Sequence, residues 1–210
     1  TFVSKKRKEA IESLIKNKND IAILDDGFQD FSIKKNLSIV CFNQKQWIGN
    51  GFVIPSGPLR EKLSALKRAH CVFINGNTDS RIEKEISKVN KFIPIYYSKY
   101  KPIDIDKFKN KKIIAFSGIG NPSNFYDLLR ENNLVLIKVF TYPDHYHFTK
   151  KDLDTLIDEA KLLGAIPVTT EKDYSRIDDD YIKNIEYLKI NLEIENKNNF
   201  IELIKKNIWK

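Results

Sequence analysis

Apolar positions along this chain follow two periods, helical spacing and short continuous runs, and the two alternate from end to end. Ala10, Ile11, Leu14 and Ile15 recur at helical spacing among Lys and Glu, which predicts an amphipathic helix over 4–16. Apolar runs at 21–25 and 37–42 read as strands, and residues 43–61, rich in Gly, Asn and Pro, as a long irregular loop. Leu63, Leu66 and Ala69 mark a short helix, 71–74 a strand, Ile82, Ile86 and Val89 a helix, and 92–97 another strand. The polar, Lys-rich stretch 99–111, with Pro102, reads as a linker. A second alternation follows: a strand at 113–116, a turn at 118–122, a helix at 122–132 and a strand at 134–140. Thr149, with Asp152 three residues on, opens a further helix that Gly164 ends. Strands near 165–169 and 186–192 and a helix near 198–208 complete the chain. Repeated strand–helix units imply an α/β fold with parallel sheets covered on both faces.

Composition narrows the class. With 210 residues, 41% hydrophobic and 30% charged, the chain reads as a globular protein with a sizeable core, and no apolar stretch is long enough to span a bilayer. Cys41 and Cys71 both fall in apolar runs and are expected to be buried free thiols. The net charge of +8 admits an anionic partner, but Arg occurs only at 7, 60, 68, 81, 130 and 176. Diffuse Lys enrichment argues for a general bias rather than a binding patch, and no aromatic–basic interleaving points to nucleic acid.

Candidate chemistry gathers where strands end. The run 21–24 closes on Asp25-Asp26-Gly27, which puts two carboxylates at the carboxyl edge of a sheet, where ligands of open α/β folds bind. Such acids suit Mg²⁺, which takes one or two carboxylates plus phosphate oxygens. On these residues alone an ordinary Asx turn is slightly favoured. Arg60, in Gly57-Pro58-Leu59-Arg60-Glu61, reads either as a surface ion pair or as a fork for phosphate oxygens. Gly118-Ile119-Gly120, ahead of Asn121-Pro122, is a plain helix start or an anion cradle, and the residues leave the two even. His145 in Pro143-Asp144-His145 is a loop residue or an imidazole that works with an acid on a hydroxyl proton. Thr169-Thr170-Glu171-Lys172-Asp173 is a polar helix cap, or a site edge with Lys172 reaching a phosphate. Trp47, Phe52 and Ile54 put apolar side chains in the long loop, as core anchors or as a membrane contact.

Taken in order, Asp25-Asp26-Gly27-Phe28-Gln29, Gly49-Asn50-Gly51, Pro55 to Glu61, Asn75-Gly76, Phe116 to Pro122, Pro143-Asp144-His145 and Thr169 to Asp173 resemble the tetraacyldisaccharide 4'-kinases, the lipid A 4'-kinases of Gram-negative bacteria. The resemblance covers essentially the whole chain. It implies a P-loop-kinase-like parallel sheet lobe, incomplete here, over 1–98, and a smaller C-terminal α/β lobe over 99–210 that closes the cleft. It implies ATP as phosphoryl donor and Mg²⁺ held by Asp25 and Asp26, with Arg60 near the phosphates and Gln29 near nucleotide or metal-bound water. Gly118, Gly120 and Lys172 would contact nucleotide or phosphate. His145 would be half of a catalytic acid–His pair whose acid lies upstream of this chain, with Asp144 orienting it rather than acting as base. The acceptor would be the 4'-hydroxyl of a tetraacyldisaccharide 1-phosphate. The protein would be a monomer in peripheral contact with the cytoplasmic face of the inner membrane, without a nucleic-acid partner.

No Gly-x-x-x-x-Gly-Lys-Ser/Thr occurs in these residues, and there is no Met. The family carries its P-loop on the segment that opens the protein, so the 210 residues alone are expected to be inactive. The rival readings are a non-catalytic nucleotide or anion binder, and a Mg²⁺-dependent phosphohydrolase that uses Asp25 and Asp26.

Overall fold

The computed structural model describes Ser4 and residues 6–209, and in it most of the apolar runs become strands and the helically spaced segments helices. The chain divides into two compact units, Thr1–Lys99 with Ile194–Lys210, and Tyr100–Glu193.

The first unit contains α1 (Arg7–Lys16), β1 (Ile39–Asn43), a 3-10 turn at Leu63–Arg68, β2 (Cys71–Asn75), α2 (Ser80–Val89) and the start of β3 (Ile95–Ile103). β1, β2 and β3 lie side by side and parallel, in register from Ile39 opposite Cys71 and from Val72 opposite Ile95. β2 is the middle strand, and its alternate side chains bury on opposite faces. Val72 and Ile74 pack with Leu66, Ile82, Ile86 and Tyr97. Cys71 and Phe73 pack with Tyr96 and with Phe200 and Leu203 of α7 (Lys197–Ile208). Each such side chain taken out of water contributes about 1.5–3 kcal/mol. Burial pushes the Cys71 thiol up to about 12.

The second unit holds β4 (Lys112–Ser117), α3 (Pro122–Glu131), β5 (Val135–Thr141), α4 (Lys150–Leu163), β6 (Ala165–Thr170), the short helices α5 (Glu171–Tyr174) and α6 (Asp179–Ile182), and β7 (Glu186–Ile194). Its strands are parallel in the order β7, β6, β4, β5. β4 is central and buried from Ile113 to Ser117. Ile113 and Ala115 meet Phe125, Tyr126 and Leu129 of α3, while Ile114 and Phe116 meet Leu153, Leu156 and Ile157 of α4. Helices therefore cover both faces, as buried parallel strands require. Ser117 lies opposite Thr141, and Lys112 opposite Ala165, so β4, β5 and β6 end at one rim.

The structure departs from the sequence reading in four places. Residues 21–24 form no strand, and Ile23 is 92% exposed. A four-residue apolar run becomes a strand only with a ladder partner, and among the described residues none pairs with it. The presumed linker 99–111 is instead the end of β3 followed by a 3-10 turn at Ile105–Phe108, which Phe108 anchors in the core. Cys41 is a free but exposed thiol, because β1 shows an alternating rather than a fully buried pattern. The helix α7, expected within a lobe of 99–210, belongs to the first unit: Phe200 and Leu203 complete the cluster around Phe73, and the Glu195 amide donates to the Tyr97 carbonyl at 2.9 Å.

Candidate active site

In the first unit the Asp25-Asp26 pair sits on a turn rather than at a strand tip. Asp26 has a left-handed backbone (φ +52°), a conformation that Asp tolerates because its short polar side chain bonds locally. The Arg7 guanidinium of α1 ties this turn down, donating to the carbonyls of Asp25 at 3.3 Å and Asp26 at 3.2 Å and pairing with Asp30 at 3.4 Å. The Ser32 hydroxyl and amide, with Arg7, hold the Asp30 carboxyl below its ordinary range. Lys35 donates to the Gly27 carbonyl at 3.0 Å and to the Asp30 carbonyl, closing the loop.

The Asp26 carboxylate pairs with Arg60 across 34 positions of sequence. Both line a cavity of about 1180 Å³, together with Asp25, half-buried Gln29 and, on its apolar side, Ile21, Leu24 and Val40. Four sequence-predicted residues, Asp25, Asp26, Gln29 and Arg60, are thus brought to one concavity. Among the described residues no group of three or more His, Cys, Asp or Glu gathers as a metal cage. Two exposed carboxylates on one turn, with room beside them, do fit Mg²⁺, which completes its shell with water and phosphate oxygens.

In the second unit the three loops leaving the shared rim form a hydrogen-bonded cluster. At its centre is Asp173, which has no exposed surface. Its Oδ2 accepts from the Ser117 hydroxyl at 3.2 Å, the Gly118 amide at 3.0 Å and the Thr170 hydroxyl at 2.9 Å. Its Oδ1 pairs with Arg176 at 3.4 Å. Thr170 also accepts from the Asp173 amide and so caps α5. One strand away, the Thr169 hydroxyl donates to the Phe116 carbonyl at 2.8 Å.

The Pro143-Asp144-His145 loop is fastened to the same frame. The His145 amide donates to the Gly118 carbonyl at 3.0 Å and to Asp144 Oδ1 at 2.9 Å, and its backbone is left-handed at φ +59°. A side chain at Gly118 would meet the Tyr146 Cβ at 3.2 Å and the Pro143 carbonyl at 3.3 Å, so a larger residue here would need these loops to give by a few tenths of an ångström. The ring of His145 reaches Arg176, with Nδ1 and Nη2 at 3.2 Å. Asp144 lies 3.9 Å from His145 Nε2 and 3.8 Å from Lys172 Nζ. A Cβ on Gly120 would come within 3.0 Å of Asp144 Oδ2. The structure therefore brings Gly118, Gly120, Asp144, His145 and Lys172 together.

Asn121, expected as a helix cap, makes no side-chain cap bond, and its Oδ1 instead accepts from the Ser123 hydroxyl. Sequence reasoning missed Asp173 and Arg176 as organisers. The available signal was their i,i+3 spacing, which the short helix α5 and the turn after it convert into an ion pair.

Residues 1–208 match the model of a family described as tetraacyldisaccharide-1-P 4'-kinase. Two curated relatives carry the name tetraacyldisaccharide 4'-kinase. The Pelagibacter ubique protein is 44% identical over 98% of this chain and 67% of its own length, and that of Rickettsia bellii 37% identical over 98% and 63%. Against the crystal structure of LpxK from Aquifex aeolicus, solved in complex with ATP, the TM-score is 0.66 at 24% identity, over 97% of this chain and 62% of that one. That structural likeness establishes the fold. The chain spans about two thirds of the length of these relatives.

Proposed function

The chain belongs to the tetraacyldisaccharide-1-P 4'-kinase family, and from that premise we propose that it serves in transferring the γ-phosphoryl group of ATP to the 4'-hydroxyl of a tetraacyldisaccharide 1-phosphate. The observation that carries this reading is the pair of adjacent acids, Asp25 and Asp26, facing a roomy cavity beside Arg60. Phosphoryl transfer asks a protein mainly for positioning and for neutralisation of charge on the phosphate oxygens. Asp25 and Asp26 would hold Mg²⁺, which when bound draws charge from those oxygens. Arg60 presents a planar fork that exchanges the Asp26 carboxylate for phosphate oxygens. Gln29 hydrogen-bonds nucleotide or water at the same mouth. In the second unit, His145 and Asp144 orient the acceptor hydroxyl. Lys172 adds positive charge, and the loop at Gly118 and Gly120, whose Gly118 amide is already taken by Asp173, carries the chain past an anionic group at the start of α3. The new bond joins the 4'-oxygen to the γ-phosphorus as the bridging bond to ADP breaks, the hydroxyl proton passing to the acid that the family resemblance pairs with His145.

The work is proposed to take place with a single chain resting on the cytoplasmic face of the inner membrane. Phe52 and Ile54 are exposed at 64% and 62% in the long loop, and the net charge is +8. Exposed apolar side chains on a chain of net positive charge suit attachment at a lipid surface. Among the described residues no helix is long and apolar enough to cross a membrane.

Transfer from labelled ATP to the lipid disaccharide, measured with the natural gene product containing these residues, tests the proposal. Asp25→Ala, Asp26→Ala and His145→Ala should each lower the rate by about 10²–10⁴-fold. Phosphate release that ignores the acceptor would favour the phosphohydrolase instead, and rates untouched by all three substitutions would refute the site.

A further inference from the structure

The ring of His145, though 70% exposed, has one side-chain hydrogen bond that bears on where its proton sits. A guanidinium has donors only, so at 3.2 Å Arg176 Nη2 donates and His145 Nδ1 accepts. The remaining ring proton must then be on Nε2. Arg176 is not a wandering surface residue: its side chain is 19% exposed, and Nη1 is bound by the buried Asp173 carboxylate. That carboxylate is fixed in turn by Ser117, Gly118 and Thr170. The backbone of His145 is pinned independently, through its amide to Gly118 and Asp144. Ring and main chain therefore have separate anchors on one rigid rim. The groups facing the imidazole are Arg176 on one side and Asp144, itself close to Lys172, on the other.

We propose that Arg176, anchored by Asp173, is a positioning residue that holds His145 as the Nε2–H tautomer, so that the imidazole enters the site as a hydrogen-bond donor. The guanidinium is suited to this because its rigid fork serves two acceptors at once, Asp173 with one nitrogen and His145 with another. A lysine has one point charge and cannot hold both in the same geometry. The use made of the donor, aligning the acceptor oxygen, rests on the kinase reading. The tautomer itself does not.

The test is a long-range ¹H–¹⁵N spectrum of the 210-residue chain labelled at histidine, at about pH 8 where imidazole is neutral. His145→Gln assigns the signal among His70, His145 and His147. The expected pattern for His145 is a single Nε2–H tautomer in the wild type, and a mixture of tautomers in Arg176→Leu. A wild-type ring protonated on Nδ1, or a mixture already present in the wild type, overturns the proposal. So does a pattern unchanged in Arg176→Leu. Should that variant fail to fold, Arg176→Lys, expected to give a partial mixture, takes its place and the wild-type spectrum still decides. In the transfer assay with the natural gene product, Arg176→Leu should lower kcat about 10–100-fold with KM for both substrates nearly unchanged, and Arg176→Lys should restore only part. Absence of transfer by the wild type would sink the kinase reading while leaving the tautomer result standing.

Discussion

Asp173 shows how much one side chain can be asked to do. It is fully buried, it accepts from three groups on two segments with one oxygen, and it holds Arg176 with the other. Removing one partner of a buried pair leaves an uncompensated charge and costs about 3–5 kcal/mol. Asp173→Ala is therefore expected to lower unfolding stability by about that much, read from the midpoint of a urea titration with an unchanged slope. A loss under about 1 kcal/mol would show that the cluster is not a structural hub. At this scale the sequence was legible for residue type and not for partnership. The carboxyl-edge placement of His145 and Lys172 followed from the strands before them. The contact between His145 and Arg176, 31 positions apart, depends on Asp173, whose own partners Ser117 and Gly118 lie on a different strand end. Asp25 and Asp26 were read at a strand tip but occupy a turn, because the strand reading needed neighbours that a local pattern does not contain.

Elements were most legible where local chemistry alone decides their ends. Thr149 and Asp152 form the reciprocal cap the spacing predicts, and Gly164 closes α4 in the left-handed conformation at φ +60°. Thr149→Ala should cost about 1 kcal/mol, measured by chemical denaturation. The same cap makes an acid-sensitive contribution. The Thr149 hydroxyl and amide, with the Tyr146 hydroxyl, hold the Asp152 carboxyl below its ordinary value. A carboxyl lowered in the folded state stabilises fully above its unfolded pKa of about 4, and that contribution fades as pH falls through the folded value. Stability measured from pH 7 downward should thus decline in the acid range for the wild type, and decline less for Asp152→Asn, which starts lower. Elements whose existence rests on distant partners were harder to read. The short helices α5 and α6 carry no periodic apolar stripe, and residues 99–111 looked like a polar linker although Phe108 is fully buried.

At the scale of the molecule, each unit has its own core, built around a middle parallel strand with helices on its faces. Residues 100–193 alone are therefore expected to fold, giving dispersed amide resonances and a cooperative thermal transition; a spectrum of collapsed, undispersed signals would refute this. The assignment of α7 could not be read from its pattern, since an amphipathic stripe announces that a helix needs a surface and not which one. The class of fold was legible because alternation of strand and helix leaves few architectures open. The loops bearing Gly118, His145 and Lys172 all depart from one rim, while the helices that bury the strands lie beyond them. Evolution or an engineer can re-dress such a rim for another ligand without rewriting the interior beneath it. The toll on any such exchange is a solitary carboxylate, which the newcomer must either retain or supplant with an apolar plug of equal size.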